Sequence, residues 1–464
     1  MKYSFHCLPK KNPYGGIFMK KIIIACLFIF TCSIFAQSFD ELNYAKERIA
    51  IPIQSRSDFE NLVRIDVDVD YCTRELDTVY VYATQEEQNM LRELGYEFTL
   101  APTEIGEDTE RAMFHTHETL TTELQELEAQ YPHIAKLYTI GKSVNGLDLW
   151  VMKISDNVEQ DEPEPEVKYV STMHGDEVVG QELGIYFIRQ LLENYGKDDE
   201  LTAMVNDLEL WIMPNMNPDG TAAKRRYNAE WKDLNRKFPD PVNDATNDPT
   251  GRPHEVQLMM KFQNERNFRI SLNYHGGAVV VNYPWDTQKG DIPDLALTKF
   301  LALGYSKRNL PMYNSTSFTN GITNGAAWYE IDGSMQDWNY NWYSCIDLTI
   351  EVSQRKWPSA DTLEQYWTDN KDSMRWFFQQ ANRGIHGIVT DKATKKPIAA
   401  NVDIVGINKP IVASKLHGDY QKILLAGTYT VKFTADGYKD LIIPNVQVKD
   451  ATEPTILNVQ MVAE

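Results

Sequence analysis

The chain has 464 residues, 42% of them hydrophobic and 24% charged, with a formal net charge of -20. That apolar content over that length buries a sizeable core and builds two or three domains. So acidic a balance argues against a nucleic-acid partner, which would draw on clustered Lys and Arg.

The first 36 residues read as a leader. Met19-Lys-Lys21 is a basic start, Ile22–Phe35 an apolar run, and Ala36-Gln37 a small-residue cut site, the arrangement of a secretory signal peptide with Met19 as its start. The apolar run is too short for a transmembrane span, so the mature chain is expected without one. It is placed as secreted or periplasmic, and Cys32 leaves a lipid-anchored alternative open. With Cys7, Cys26 and Cys32 in the leader, only Cys72 and Cys345 remain, which is no disulfide framework; two buried free thiols are expected.

Residues 37–108 form a small α/β segment, a pro-region or an accessory domain. Thr78–Thr84 alternates as a strand does, and Glu86–Leu94 reads as a helix stopped by Gly95. The largest domain is set at 109–382. His117–Gln130 carries Leu120, Leu124 and Leu127 on one helical face, and Asp156–Glu166 is a solvated acidic loop. Val167–Thr172 is a buried strand, and a helix follows with Leu183, Phe187 and Leu191, ending near Gly196. Glu209–Met213, Arg269–Tyr274 and Ile346–Val352 are further strands, and Leu363–Gln380 a further helix. Strands alternating with helices predict an α/β/α domain with a mixed sheet covered on both faces. From 383 to 464 short strands recur between turns such as His417-Gly418-Asp419 and Asp436-Gly437, predicting an all-β sandwich.

The chemistry concentrates in His174-Gly-Asp-Glu177 and, about a hundred residues later, His275 in His275-Gly-Gly277. Two imidazoles and a carboxylate are a ligand set for one catalytic Zn2+, with the fourth position open to water. Such a site needs an unliganded carboxylate as general base. Glu351 is the candidate, on a strand where Ile346, Leu348, Ile350 and Val352 alternate with Asp347, Thr349 and Glu351. The strand alone favours a solvent-facing carboxylate.

His174-Gly-Asp-Glu177, Asn217-Pro-Asp-Gly220, Asp233-Leu-Asn-Arg236, His275-Gly-Gly277, Asn282-Tyr-Pro-Trp-Asp286, Gln336-Asp-Trp338 and Glu351 occur in that order. Together they resemble the zinc metallocarboxypeptidases of the carboxypeptidase N/E (regulatory) subfamily, from about residue 115 to the end, with 383–464 similar to that subfamily's transthyretin-like domain. The resemblance implies roles. Asn235 and Arg236 match the pair that binds the substrate's terminal carboxylate, a fit for a guanidinium fork. Arg226 matches the arginine on the scissile carbonyl and oxyanion. Asp233 matches the carboxylate that orients the first zinc histidine. Tyr329 matches the tyrosine that closes over the substrate. Asp286 and Gln336 match the specificity pocket, and a carboxylate there implies C-terminal Lys or Arg.

The implied activity is release of single C-terminal residues from peptides and proteins, preferring Lys or Arg. The same machine acting on apolar or cell-wall peptide ends, and an inactive peptide-binding or adhesion protein, remain as alternatives. Two departures stand out: Gln354 where the subfamily often has a second cysteine, and Asp176 where Asn is common. His115, His117, His133, His254, His386 and His417 are assigned no metal.

Overall fold

A computed structural model describes residues 47–65, 67–72, 77–101 and 114–464. The leader, Met19 with it, lies outside the described residues.

The leading segment folds as strand, helix, two strands, helix, strand: β1 (Glu47–Pro52), Arg56–Arg64, β2 (Asp68–Cys72), β3 (Thr78–Ala83), Gln85–Glu93 and β4 (Thr99–Leu100). Its antiparallel sheet has the order β2-β3-β1-β4, which leaves β2 at an edge. Ile49, Ile51, Leu62, Val79, Val81 and Leu91 form its own core. A capping box starts the second helix, with Thr84 accepting from the Glu87 amide and Glu87 accepting from the Thr84 amide.

The central body is built on β5 (Ala135–Lys142), β6 (Asp148–Ile154), β7 (Glu166–Ser171), β8 (Glu209–Met213), β9 (Ile270–His275), β10 (Ala278–Tyr283), β11 (Ile322–Asn324) and β12 (Ile346–Ser353). They form one sheet in the order β11-β10-β12-β9-β7-β8-β6-β5. The inner strands β12, β9, β7 and β8 run parallel, while β10, β6 and β5 are joined antiparallel. The mixed sheet matches the expectation.

Period-two alternation sorts side chains between the two faces. On β9 and β12, Ile270, Leu272, Tyr274, Ile346, Leu348, Ile350 and Val352 join one core, packed under Val179–Asn194, Leu295–Ser306 and Leu363–Gln379. Ser271, Asn273 and His275, with Asp347, Thr349 and Glu351, therefore point to the other face. Helices His254–Asn264 and Met335–Tyr343 cover that face with Met259, Phe262, Met335 and Trp338. All eight residues of β12 are buried, so Glu351 is not the solvent-facing carboxylate the strand pattern allowed.

Beyond residue 384 the chain is all β: β13 (Ile385–Asp391), β14 (Asn401–Ile404), β15 (Ile411–Val412), β16 (Asp419–Lys422), β17 (Gly427–Thr434), β18 (Leu441–Val448), β19 (Thr455–Ile456) and β20 (Val459–Met461). One sheet joins β16, β13, β19 and β20, the other runs β15-β14-β17-β18, and Val402, Tyr420, Val431 and Phe433 fill the space between. This unit braces the ends of β9 and β12 remote from His275 and Glu351. Arg269, 4% exposed, donates to Gln421 Oε1 at 3.2 Å and to the Val412 carbonyl at 3.3 Å. The buried Lys422 Nζ lies 3.6 Å from Asp294 Oδ1, and Ser344 Oγ donates to the Pro410 carbonyl at 2.7 Å. Cys345 is a buried free thiol, as expected.

Candidate active site

Chain order puts His174 and Glu177 on the loop leaving β7, and the sheet brings His275 to them, since β9 is β7's neighbour. Thr172 (φ 56°) turns the chain sharply off the strand, and its hydroxyl donates to the Glu177 carbonyl at 3.2 Å. The loop then packs on Asn217-Pro-Asp-Gly220. A Cβ on Gly175 would fall 2.2 Å from the Gly220 carbonyl carbon, so only glycine permits the approach. Asn217 Nδ2 donates to the carbonyls of Met173 (3.1 Å) and Arg226 (3.2 Å), tying the loop to the segment that carries Arg226. Sequence reading gave Asn217 no role of its own; its signal is the Asn-Pro-Asp-Gly turn.

His174 Nδ1, His275 Nδ1 and Glu177 Oε2 face one another: 3.0 Å from His174 to Glu177, 2.9 Å from His275 to Glu177, and 3.1 Å between the two nitrogens. All three residues are buried. His174 Nε2 lies 3.0 Å from Asp233 Oδ1, so its proton goes to Asp233 and its Nδ1 keeps a lone pair for the shared point. The donor set fits Zn2+: two imidazole nitrogens and one carboxylate oxygen, with a carboxylate behind the first histidine. His275 Nε2 is buried and finds no such partner.

Charge reinforces the fit. Burial works against ionisation of Glu177, but His174 and His275 outweigh it and hold the carboxyl well below the usual range. Asp233 is likewise held low against its burial, first by Arg226 and then by His174. Arg226 grips Asp233 Oδ2 through Nε and Nη2, both at 2.9 Å, while its Nη1 reaches His174 Nδ1 at 3.1 Å and Glu177 Oε1 at 3.3 Å. Glu351 goes the other way: burial, then the charge of Glu177, raises it well above the usual carboxylate range. Two buried carboxylates side by side do not both ionise unless a cation sits between them.

Register explains why Glu351 is here. It pairs with His275 across the parallel β12–β9 ladder and with Val280 on β10. Its Oε2 is buried without a hydrogen-bond partner. Lys356, which sequence reading passed over, lies five residues on. Its ammonium is buried 3.4 Å from Asp176 Oδ2 and 3.9 Å from Glu177 Oε1. A lone lysine after a strand gives no signal that it folds back.

These groups open on a cavity of about 520 Å³ whose walls include His174, Glu177, His275, Glu351 and Arg226, and also Asn235, Arg236, Asp286 and Tyr329. Asp233 stands behind His174, outside the walls. Asn235 Oδ1 accepts from the Met335 amide at 3.0 Å, and Arg236 Nη1 donates to the Asn235 carbonyl at 3.1 Å. Asp286 is 2% exposed, accepts from Asn282 Nδ2 at 3.0 Å, and has its carboxyl raised by burial. Both Asp337 oxygens accept from the Asp286 amide at 2.9 Å, and Thr287 adds two further donors. Gln336 is fully buried behind the wall rather than on it, with Oε1 accepting from the Thr349 amide at 2.9 Å. Thr349 is what lines the cavity at that point.

Comparison with known proteins agrees with this geometry. The family model described as zinc carboxypeptidase matches residues 120–373. The carboxypeptidase N catalytic chain of Homo sapiens is 35% identical over 74% of this chain and 84% of its own. Carboxypeptidase SOL1 of Arabidopsis thaliana is 39% identical over 70% of this chain and 68% of its own. Carboxypeptidase D of Anas platyrhynchos is 41% identical over 69% of this chain, which spans only 24% of that relative. The solved carboxypeptidase A from Helicoverpa armigera superimposes with a TM-score of 0.58 at 17% identity, over 71% of this chain and 96% of its own, a likeness of fold. Among the described residues no helix is long and apolar enough to cross a membrane. By family model and by relatives matched over most of their length, the chain belongs to the zinc carboxypeptidases.

Proposed function

We propose that the protein is an exopeptidase holding one Zn2+ on His174, Glu177 and His275, which releases single C-terminal residues and prefers Lys or Arg. The observation that carries the preference is Asp286: a buried carboxylate on the wall of the same cavity as the ligand set, Arg236 and Glu351. A buried acid facing a binding space is matched by a cationic side chain.

Residue roles follow from donors and acceptors. Arg236 offers its fork to the terminal carboxylate. Asn235, whose Oδ1 is engaged by Met335, has its Nδ2 left to donate. Asp286 receives the basic side chain, and Gln336 acts at one remove by fixing Thr349. Glu351 takes a proton from the attacking water and returns it to the leaving amine. Arg226 donates to the oxyanion, and Tyr329, half-buried at the cavity wall, closes over the bound residue. Zinc, when bound, supplies Lewis acidity and lowers the pKa of a ligated water.

We further propose a leader at 1–36, an accessory or pro-region at 37–108, the catalytic domain at 109–382 and a transthyretin-like sandwich at 383–464, in a secreted or periplasmic protein. The test is free amino acid released from matched peptides ending in Arg, Lys, Leu and Phe, with and without a zinc chelator. Chelator-sensitive release of Arg and Lys well above Leu and Phe is expected. Equal release of all four rejects the role of Asp286, and no release rejects the enzyme.

A further inference from the structure

The catalytic cavity has a wall from outside the family match. Phe59, on helix Arg56–Arg64, Val67, and Val69 on β2 line the same space as His174, Arg236 and Glu351. All three precede residue 120, where the match to the family model begins. β2, which carries Val69, is an edge strand of its sheet. Phe59 and Val67 are 9% and 6% exposed and are held by that segment's own core, while Val69 is partly buried against it. The three are apolar, and so are Pro311, Phe318 and Trp328 on the same cavity's walls.

We infer that the leading segment is a substrate-facing wall that selects apolar residues just upstream of the C-terminal residue; this rests on the exopeptidase reading. On the proposed function the C-terminal residue is held by Arg236, Asp286 and Glu351 on the central body, and the residues upstream of it run along the rest of the cavity wall. Among the described residues, the leading segment's share of that wall is Phe59, Val67 and Val69. The segment does not fill the site: about 520 Å³ remains with the ligand residues on its walls, within the range of working ligand pockets. Apolar side chains there reward an aliphatic residue by the hydrophobic effect and give nothing to glycine or a carboxylate.

The experiment uses the whole zinc-loaded protein and peptides ending in Arg that differ only at the residue before it: Leu, Gly, Glu or Lys. The parent is expected to favour Leu over Gly by on the order of tenfold in kcat/KM, the scale of one apolar side chain in a pocket. Phe59→Ala narrows that ratio to about twofold, through a higher KM on the Leu peptide. Val69→Asp turns the preference towards Lys, an inversion that loss of folding does not produce. A parent that releases Arg with no upstream preference overturns the inference and leaves the exopeptidase standing. So does a Phe59→Ala variant that speeds every peptide alike, which would make the segment an obstruction. A parent that releases nothing overturns both.

Discussion

Gly325 and Asp286 touch so closely that a Cβ on Gly325 would lie 1.8 Å from Asp286 Oδ1. The glycine is the space the carboxylate occupies. Gly325→Ala therefore displaces Asp286 while leaving His174, Glu177, His275 and Glu351 in place. The expected outcome is a fall of about tenfold or more in kcat/KM on peptides ending in Arg, with peptides ending in Leu nearly unaffected. Steady-state kinetics on the two peptides checks it. An equal loss on both would mean that the pocket as a whole, and not the acid, was disturbed.

Glu351→Gln keeps the shape of the proposed base and removes the carboxylate that would accept a proton. We expect kcat to fall by about 10²–10⁴-fold, with KM and zinc content close to the parent. Parent-like turnover in this variant would take the base role away from Glu351.

Asp233→Asn removes the acceptor that fixes the His174 tautomer and one side of the Arg226 pair. Zinc affinity should weaken by about 10–100-fold in competition with a chromophoric chelator, and excess zinc should restore part of the activity. Unchanged affinity would show that His174 is oriented by something else.

His115 gives a pH prediction away from the metal. Burial opposes its protonation, but Nε2 lies 2.8 Å from Glu123 and Nδ1 2.7 Å from Glu182, and these raise it to about 9. A raised value means the protonated ring stabilises the folded state, fully below about 6.5 and not at all above about 9. Chemical denaturation of the parent should lose at most about 3 kcal/mol between those limits from this group, less any screening at its partly exposed edge. In His115→Gln that component should be absent. An identical pH profile in the two proteins would remove His115 from the account.

Much of this was legible in the sequence, and what was not has a physical cause. His174, Glu177 and His275 could be singled out because metal chemistry restricts residue types, Glu351 because of its place in the ordered set of motifs, and β12 and β9 because their apolar faces alternate. The antiparallel strands β5, β6 and β10 were passed over; β10 starts directly after His275-Gly-Gly277 and runs into Asn282-Tyr-Pro-Trp-Asp286, two stretches whose residues were read for chemistry. The standing of Gln336 was beyond reach for a different reason. Its family position says that it belongs to the pocket, but only the fold shows Thr349 between it and the space. Lys356, Asn217 and Phe59 act through contacts distant in sequence, which no local pattern encodes.

The hydrogen bonds from Arg269 to Gln421 and Val412, and the Lys422–Asp294 pair, make the C-terminal sandwich a structural dependant and a structural support at once. A chain trimmed at residue 384 would be left with a guanidinium stripped of two acceptors at the foot of β9, and with Asp294 deprived of its cation. The same cut would open to water the surface that the sandwich now covers around these two residues. The minimal folding unit of this protein is then larger than its candidate site. Grafting the catalytic part onto another scaffold would require rewriting positions 269 and 294 along with the cut.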